Sequence, residues 1–173
     1  GKNAYYSTGK FDQNKHNIPY FALTQVLQSL MKHILTQKEE TILLWKEKIL
    51  NGIGQNSQLM IDLIPNLELI IGKQPPVVEL FPAEAENRFN MVFQKFIGLF
   101  ARKGYPLIIF LDDLQWADLS SLKLVEILLS NYDSHHILVI GAYRDNEVDN
   151  THPVHTMINE IKKSGAVINN ILL

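Results

Sequence analysis

The sequence predicts an α/β domain built on a parallel sheet. Two short apolar runs, Leu107-Ile108-Ile109-Phe110-Leu111 and Ile137-Leu138-Val139-Ile140, lack the alternation of a half-solvated strand. Runs of this kind read as strands buried on both faces, the mark of a parallel sheet covered by helices. Elsewhere apolar residues recur at spacings of three and four, as on one helical face. Strands and helices then alternate along the chain, which is the order of an α/β domain.

Each element follows from local chemistry. Ala4 to Thr8 is rich in β-formers and followed by Gly9, so a first strand starts almost at once. Phe11 to Ile18 is polar and loop-like. Pro19 opens a helix whose apolar face is Tyr20, Leu23, Leu27, Leu30 and Ile34. A second helix begins near Lys38, carries Ile42, Trp45 and Ile49, and stops at Asn51-Gly52. Ser57 to Ile64 is a short helix ended by Pro65. Asn66 to Pro82 is less regular, because Pro75, Pro76 and Pro82 forbid a continuous helix. Phe89, Val92, Phe93, Phe96, Ile97 and Phe100 form one stripe, closed by Gly104. That stripe reads as core rather than as a ligand box. Asp118 caps a helix from Leu119 to Ser130, Pro153 to Lys163 is helical, and Val167 to Leu173 reads as a last strand.

Composition bounds the function. The 173 residues suit about one domain at roughly 150 residues per domain. A formal charge of -2 leaves no basic excess for a phosphate backbone, so nucleic-acid binding is not expected. No apolar run approaches the length of a membrane span, and no signal core follows Gly1-Lys2-Asn3, so a cytoplasmic protein is expected. The absence of cysteine rules out disulfides, thiol catalysis and thiolate metal sites. The six histidines show no metal-ligand spacing: His135 and His136 are adjacent, Pro153 stands between His152 and His155, and His16 and His33 are isolated.

The chemistry gathers at the ends of the two apolar strands. In parallel α/β sheets, ligands bind outside the carboxyl ends of the strands. Asp112-Asp113 follows the first run directly. Mg²⁺ favours one or two carboxylates together with substrate phosphates, and a second carboxylate can orient or deprotonate a water. This gives a Walker B reading, with Asp112 for the metal and Asp113 for the water. The same pair also reads as a solvated turn at the strand end. Arg144 ends the second strand, where its donor fork suits a γ-phosphate; pairing with Asp145 or Glu147 in solvent is the plainer outcome. Asp118 reads as a helix cap in preference to a group orienting the metal turn. Trp116 reads as a packed aromatic in preference to a platform for adenine. No P-loop is present. That motif needs G-x-x-x-x-G-K-[ST], whereas the three Gly-Lys pairs, at Gly1-Lys2, Gly9-Lys10 and Gly72-Lys73, are followed by Asn3, Phe11 and Gln74.

Five blocks together resemble one family. They are Gly9-Lys10-Phe11-Asp12-Gln13, Asn17-Ile18-Pro19-Tyr20, Ile70-Ile71-Gly72-Lys73-Gln74-Pro75, Phe110-Leu111-Asp112-Asp113-Leu114-Gln115-Trp116-Ala117-Asp118, and Ile140-Gly141-Ala142-Tyr143-Arg144-Asp145-Asn146-Glu147-Val148. The family is the AAA/STAND-type ATPase domain of large bacterial multidomain sensor histidine kinases, which carry a Ser/Thr-kinase-like domain ahead of it and helical repeats, a GAF domain and a histidine kinase behind. The resemblance runs from about Tyr5 to Leu173. It implies a three-layer P-loop NTPase-like parallel sheet with helices on both faces. It implies that residues 1–173 are a single partial domain, beginning after the P-loop and ending in the last core strand. Lys10 and Arg88 stand beside matching blocks, but the sequence assigns neither a role.

The family context sets further expectations. ATP and Mg²⁺ belong to the intact parent, held by Asp112 and Arg144 with Asp113 as the catalytic group; this chain alone, lacking the phosphate cradle, binds them weakly at best and does not hydrolyse ATP. The domain acts as a nucleotide switch in signal transduction or, alternatively, as a non-catalytic scaffold coupling neighbouring domains of the polypeptide. Loss of the central P-loop strand leaves two apolar edges flanking a gap. Such edges pair readily, so either rearrangement or a homodimer through them is expected.

Overall fold

The computed structural model describes residues 4–130 and 136–172. Its sheet has three parallel strands: β1 (Tyr5–Lys10), β2 (Leu107–Asp112) and β3 (Ile137–Gly141), in the order β1-β2-β3. Seven helices accompany them among the described residues: α1 (Phe21–Leu35), α2 (Glu39–Ile53), α3 (Ser57–Leu63), the single turn α4 (Glu68–Ile71), α5 (Pro82–Gly98), α6 (Leu119–Ser130) and α7 (Pro153–Lys163). The fold is α/β and P-loop NTPase-like, as expected.

The register places Tyr5, Leu107 and Ile137 in one row, and Lys10 opposite Asp112 at the far end. Side chains alternate across a strand. Ser7 and Gly9 of β1 and Leu107, Ile109 and Leu111 of β2 are buried. Helix α1 lies directly on this face, since the Ser7 hydroxyl donates to the Val26 carbonyl at 2.9 Å. The aromatic stripe is core, with Phe93 and Phe96 of α5 and Phe100 just past its end fully buried. Phe100 stacks on Trp45 at 4.7 Å between centroids, and Tyr5 meets both rings edge-on. Full burial of such a ring stabilises by roughly 1.5–3 kcal/mol, so this cluster fastens α2 and α5 to the start of β1.

The structure corrects several expectations. The three strands pair without a gap, so β2 is the middle strand and, among the described residues, the open edges are the outer sides of β1 and β3. Strand β3 is not buried on both faces: Leu138 is 53% and Ile140 44% exposed. Residues 166–172 form no strand, and Val167, Ile171 and Leu172 are exposed. An extended segment becomes a strand only when a neighbour takes its backbone bonds, and β3 offers it no pairing. Leu173 of that expected strand, and His135, lie outside the described residues. Pro19 does not open α1; Tyr20 intervenes in the left-handed region at φ 63°. As expected, no helix runs through Pro75 and Pro76 to Pro82; Pro82 starts α5 as its first residue, where its missing N–H costs nothing.

Candidate functional site

The carboxyl end of the middle strand carries the site. Asp112 is the last residue of β2, and Asp113 turns the chain out of the sheet with φ 54° and ψ 47°. Aspartate tolerates this left-handed conformation better than most residues. The following turn, Leu114–Trp116, is rooted by buried Leu114 and Gln115. Gly141 at the end of β3 makes room for the root, because a Cβ there would stand 2.4 Å from Leu114 Cδ1. The Leu114 N–H in turn donates to the Ala142 carbonyl at 2.9 Å, tying the turn to the end of β3.

Each carboxylate has one oxygen held by a neutral donor. Asp112 Oδ1 accepts the Asp113 backbone N–H at 2.9 Å, and Asp113 Oδ1 accepts the Gln115 amide at 3.1 Å. The two remaining oxygens converge on a single cation. Lys10 Nζ lies 2.9 Å from Asp112 Oδ2 and 2.8 Å from Asp113 Oδ2. The Asp113 carboxyl is held below the usual carboxylate range, chiefly by the Lys10 hydrogen bond, with Gln115 and the more distant Arg144 charge adding to it against the cost of burial. The Lys10 ammonium is correspondingly raised, by Asp113 first and then Asp112.

The donor set fits a hard divalent cation. Two carboxylate oxygens already meet at one positive centre, and Mg²⁺ characteristically takes one or two carboxylates and completes its shell with water and phosphate. Asp112 is the residue that would hold it, with Asp113 Oδ2 facing the same point for a water. Among the described residues, no group of three or more His, Asp or Glu side chains gathers, and this pair of carboxylates stands without a third.

The other predicted residues fall as follows. Arg144 follows β3 on the same side of the sheet, where its charge is felt at Asp113, but its guanidinium pairs with Glu147 at 3.1 Å and stays largely exposed. Asp118 is a helix cap: it accepts the Ser121 N–H at 2.8 Å and the Ser121 hydroxyl at 2.6 Å. Trp116 packs partly against the core and also borders an open depression of about 300 Å³ lined by Lys10, Asp12, Gln25 and Asp113. Arg88 has a structural task, donating to the Val78 carbonyl at 2.8 Å and so pinning the irregular segment before α5. Lys10 was not legible as a site residue from local sequence. Its only signal is the register that sets it opposite Asp112.

Comparison with known proteins shows the family. Residues 1–140 match a family described as the AAA ATPase domain. The chain is 37% identical over 123 residues to "Hybrid signal transduction histidine kinase G" of Dictyostelium discoideum, covering 71% of this chain and 4% of that protein. It is 27% identical over 121 residues to "Histidine protein kinase 1" of Candida albicans, covering 61% of this chain and 5% of that protein. The chain therefore spans about a twentieth of the length of these relatives. No solved structure matches.

Proposed function

This chain belongs to the AAA ATPase domain family, and on that premise we propose that it is the nucleotide-responsive regulatory switch of a multidomain, STAND-type signalling kinase. The observation that carries the proposal is the convergence of Asp112 Oδ2 and Asp113 Oδ2 on one cation at the carboxyl end of the middle strand. Ligands of open α/β sheets bind at that end.

In this proposal Asp112 is the Mg²⁺ ligand, and the metal, when bound, neutralises phosphate charge. Asp113 orients the water that attacks the γ-phosphorus of ATP and takes its proton, while the bond to the bridging oxygen of ADP breaks. Arg144 leaves Glu147 and contacts the γ-phosphate, where a guanidinium fork suits phosphate oxygens. The 173 residues contain no G-x-x-x-x-G-K-[ST], so the phosphate cradle has to come from elsewhere in the polypeptide, and the chain alone holds Mg²⁺-ATP weakly. A two-component histidine kinase with a Ser/Thr-kinase-like domain is the proposed setting, and its neighbouring domains are the proposed partners. The names of these relatives support the histidine-kinase part.

One observation favours a second reading. Tyr6, Leu138 and Ile140 leave an apolar strip of the sheet exposed, as an interaction scaffold without catalysis would. Calorimetry with Mg²⁺-ATP separates the two. Binding by a polypeptide extended to include a Walker A segment, lost on Asp112→Ala, is expected for the switch. No binding by either the extended or the 173-residue form would refute it and leave the scaffold.

A further inference from the structure

We infer that Lys10 is a resident counter-ion: its ammonium holds Asp112 and Asp113 together in the cation-free state and must swing away before a divalent cation can take the Asp112 oxygen it covers and Asp113 can turn its own to a water. The inference rests on the assignment of Asp112 as the cation ligand and Asp113 as the water-orienting carboxylate, and deepens it.

Three observations on the lysine itself carry it. First, the lysine stands where the two carboxylates converge. Asp112 Oδ1 and Asp113 Oδ1 each accept one hydrogen bond, from the Asp113 N–H and the Gln115 amide, and the Oδ2 pair faces the ammonium. Lys10 takes both at 2.8 and 2.9 Å, so an incoming cation meets like charge at the place it needs. Second, the lysine backbone is fixed. The Lys10 N–H donates to Gln25 Oε1 at 2.9 Å, and Gln25 Nε2 donates back to the Lys10 carbonyl at 3.4 Å. The residue is also register partner to Asp112 within the β1–β2 ladder. Displacement therefore falls on the side chain alone. Third, that side chain is free to move, being 63% exposed and bordering the open depression beside Trp116. An exposed pair of this kind is weak, typically worth no more than about 1 kcal/mol. It can order two carboxylates without sealing them.

Lys10 is thus a positioning residue. While it is in place, Asp113 Oδ2 is turned to the ammonium rather than to a water. Metal entry and release of that oxygen become one event.

The test needs no nucleotide and no turnover. Mn²⁺ is titrated into the 173-residue chain and free Mn²⁺ is read by electron paramagnetic resonance. Lys10→Met is expected to bind Mn²⁺ about 5- to 10-fold more tightly than wild type, the scale of one unit charge at contact near a solvated surface. Lys15→Met, which removes an exposed cation lying over the Phe21 ring at 4.7 Å, is expected to change affinity less than 2-fold. In wild type, the Lys10 side-chain ammonium resonance, observed by ¹⁵N NMR, is expected to shift to that of a free lysine as Mg²⁺ is added. Unchanged or weaker Mn²⁺ binding by Lys10→Met, an equal gain in Lys15→Met, or an unmoved Lys10 resonance at saturating Mg²⁺ would each overturn the inference. Absence of binding in both wild type and Lys10→Met would overturn it too. The underlying assignment fails separately, if Lys10→Met binds Mn²⁺ and adding Asp112→Asn leaves that affinity unchanged.

Discussion

Gly9 of β1 and Ala22 of α1 are in such close contact that a Cβ on Gly9 would stand 2.2 Å from the Ala22 carbonyl oxygen. The obstacle is backbone, which cannot rotate aside. Gly9→Ala is therefore expected to destabilise the chain by at least the roughly 1–3 kcal/mol typical of overpacking, read from urea unfolding. Gly98, at the end of α5, is the internal contrast: nothing lies within 4 Å of its Cβ position. Gly98→Ala is expected to stabilise by about 0.4–1 kcal/mol through the unfolded chain.

Asp118 tests cap against metal site. Its two oxygens take the N–H and the hydroxyl of Ser121. Asp118→Ala is expected to cost about 1 kcal/mol, and up to about 2 kcal/mol, in thermal or urea unfolding. Affinity for Mn²⁺ should stay within 2-fold of wild type. A large loss of metal affinity at unchanged stability would reassign the residue to the site.

Asp149 reports acid sensitivity near α7. Its carboxylate accepts the Thr151 hydroxyl at 2.7 Å and the Thr151 N–H at 2.8 Å. These bonds, the hydroxyl first, hold its pKa below the ordinary 3.8, and the His152 charge adds to them. A carboxyl lowered in the folded state stabilises fully above its ordinary value, and the contribution disappears as pH falls through the lowered one. Thr151→Val is expected to move the Asp149 titration upward toward 3.8 in a carbon-detected NMR series. An unmoved midpoint would show that the hydroxyl is not the cause.

The outer side of β3 bears on association. Leu138 and Ile140 are exposed beside an edge whose backbone groups have no strand neighbour among the described residues. Apolar open edges recruit partners. We propose that the chain self-associates there, so light scattering after size exclusion should show mass rising with concentration. Ile140→Lys is expected to return it to monomer. A monomer at every concentration in the parent chain would end this proposal.

Much of the fold was legible because its signals are local. Asp112 ends β2 where the apolar run stops, and Pro153 starts α7 as a first-turn proline should. The failures have one physical source, which is tertiary context. Val167 to Leu172 has the composition of a strand but no ladder to join. Pro19 reads as a helix opener, yet Tyr20 in the left-handed region stands between it and α1. At the site, Asp112 and Asp113 announce themselves by following an apolar strand. Lys10 does not, because its partners lie 102 and 103 positions away and only the strand register brings them together.

The register also sets a timetable for synthesis. Every residue of β1 pairs with β2, yet about a hundred residues separate the two strands. At a ribosomal pace of roughly 5–20 residues per second, β1 waits about 5–20 s for its partner to emerge. Helix α1 arrives much earlier, and the Ser7 hydroxyl finds the Val26 carbonyl only 19 positions on. The nascent chain can therefore shelve β1 against α1, face down, and keep its ladder side in reserve until the Asp112 strand leaves the exit tunnel.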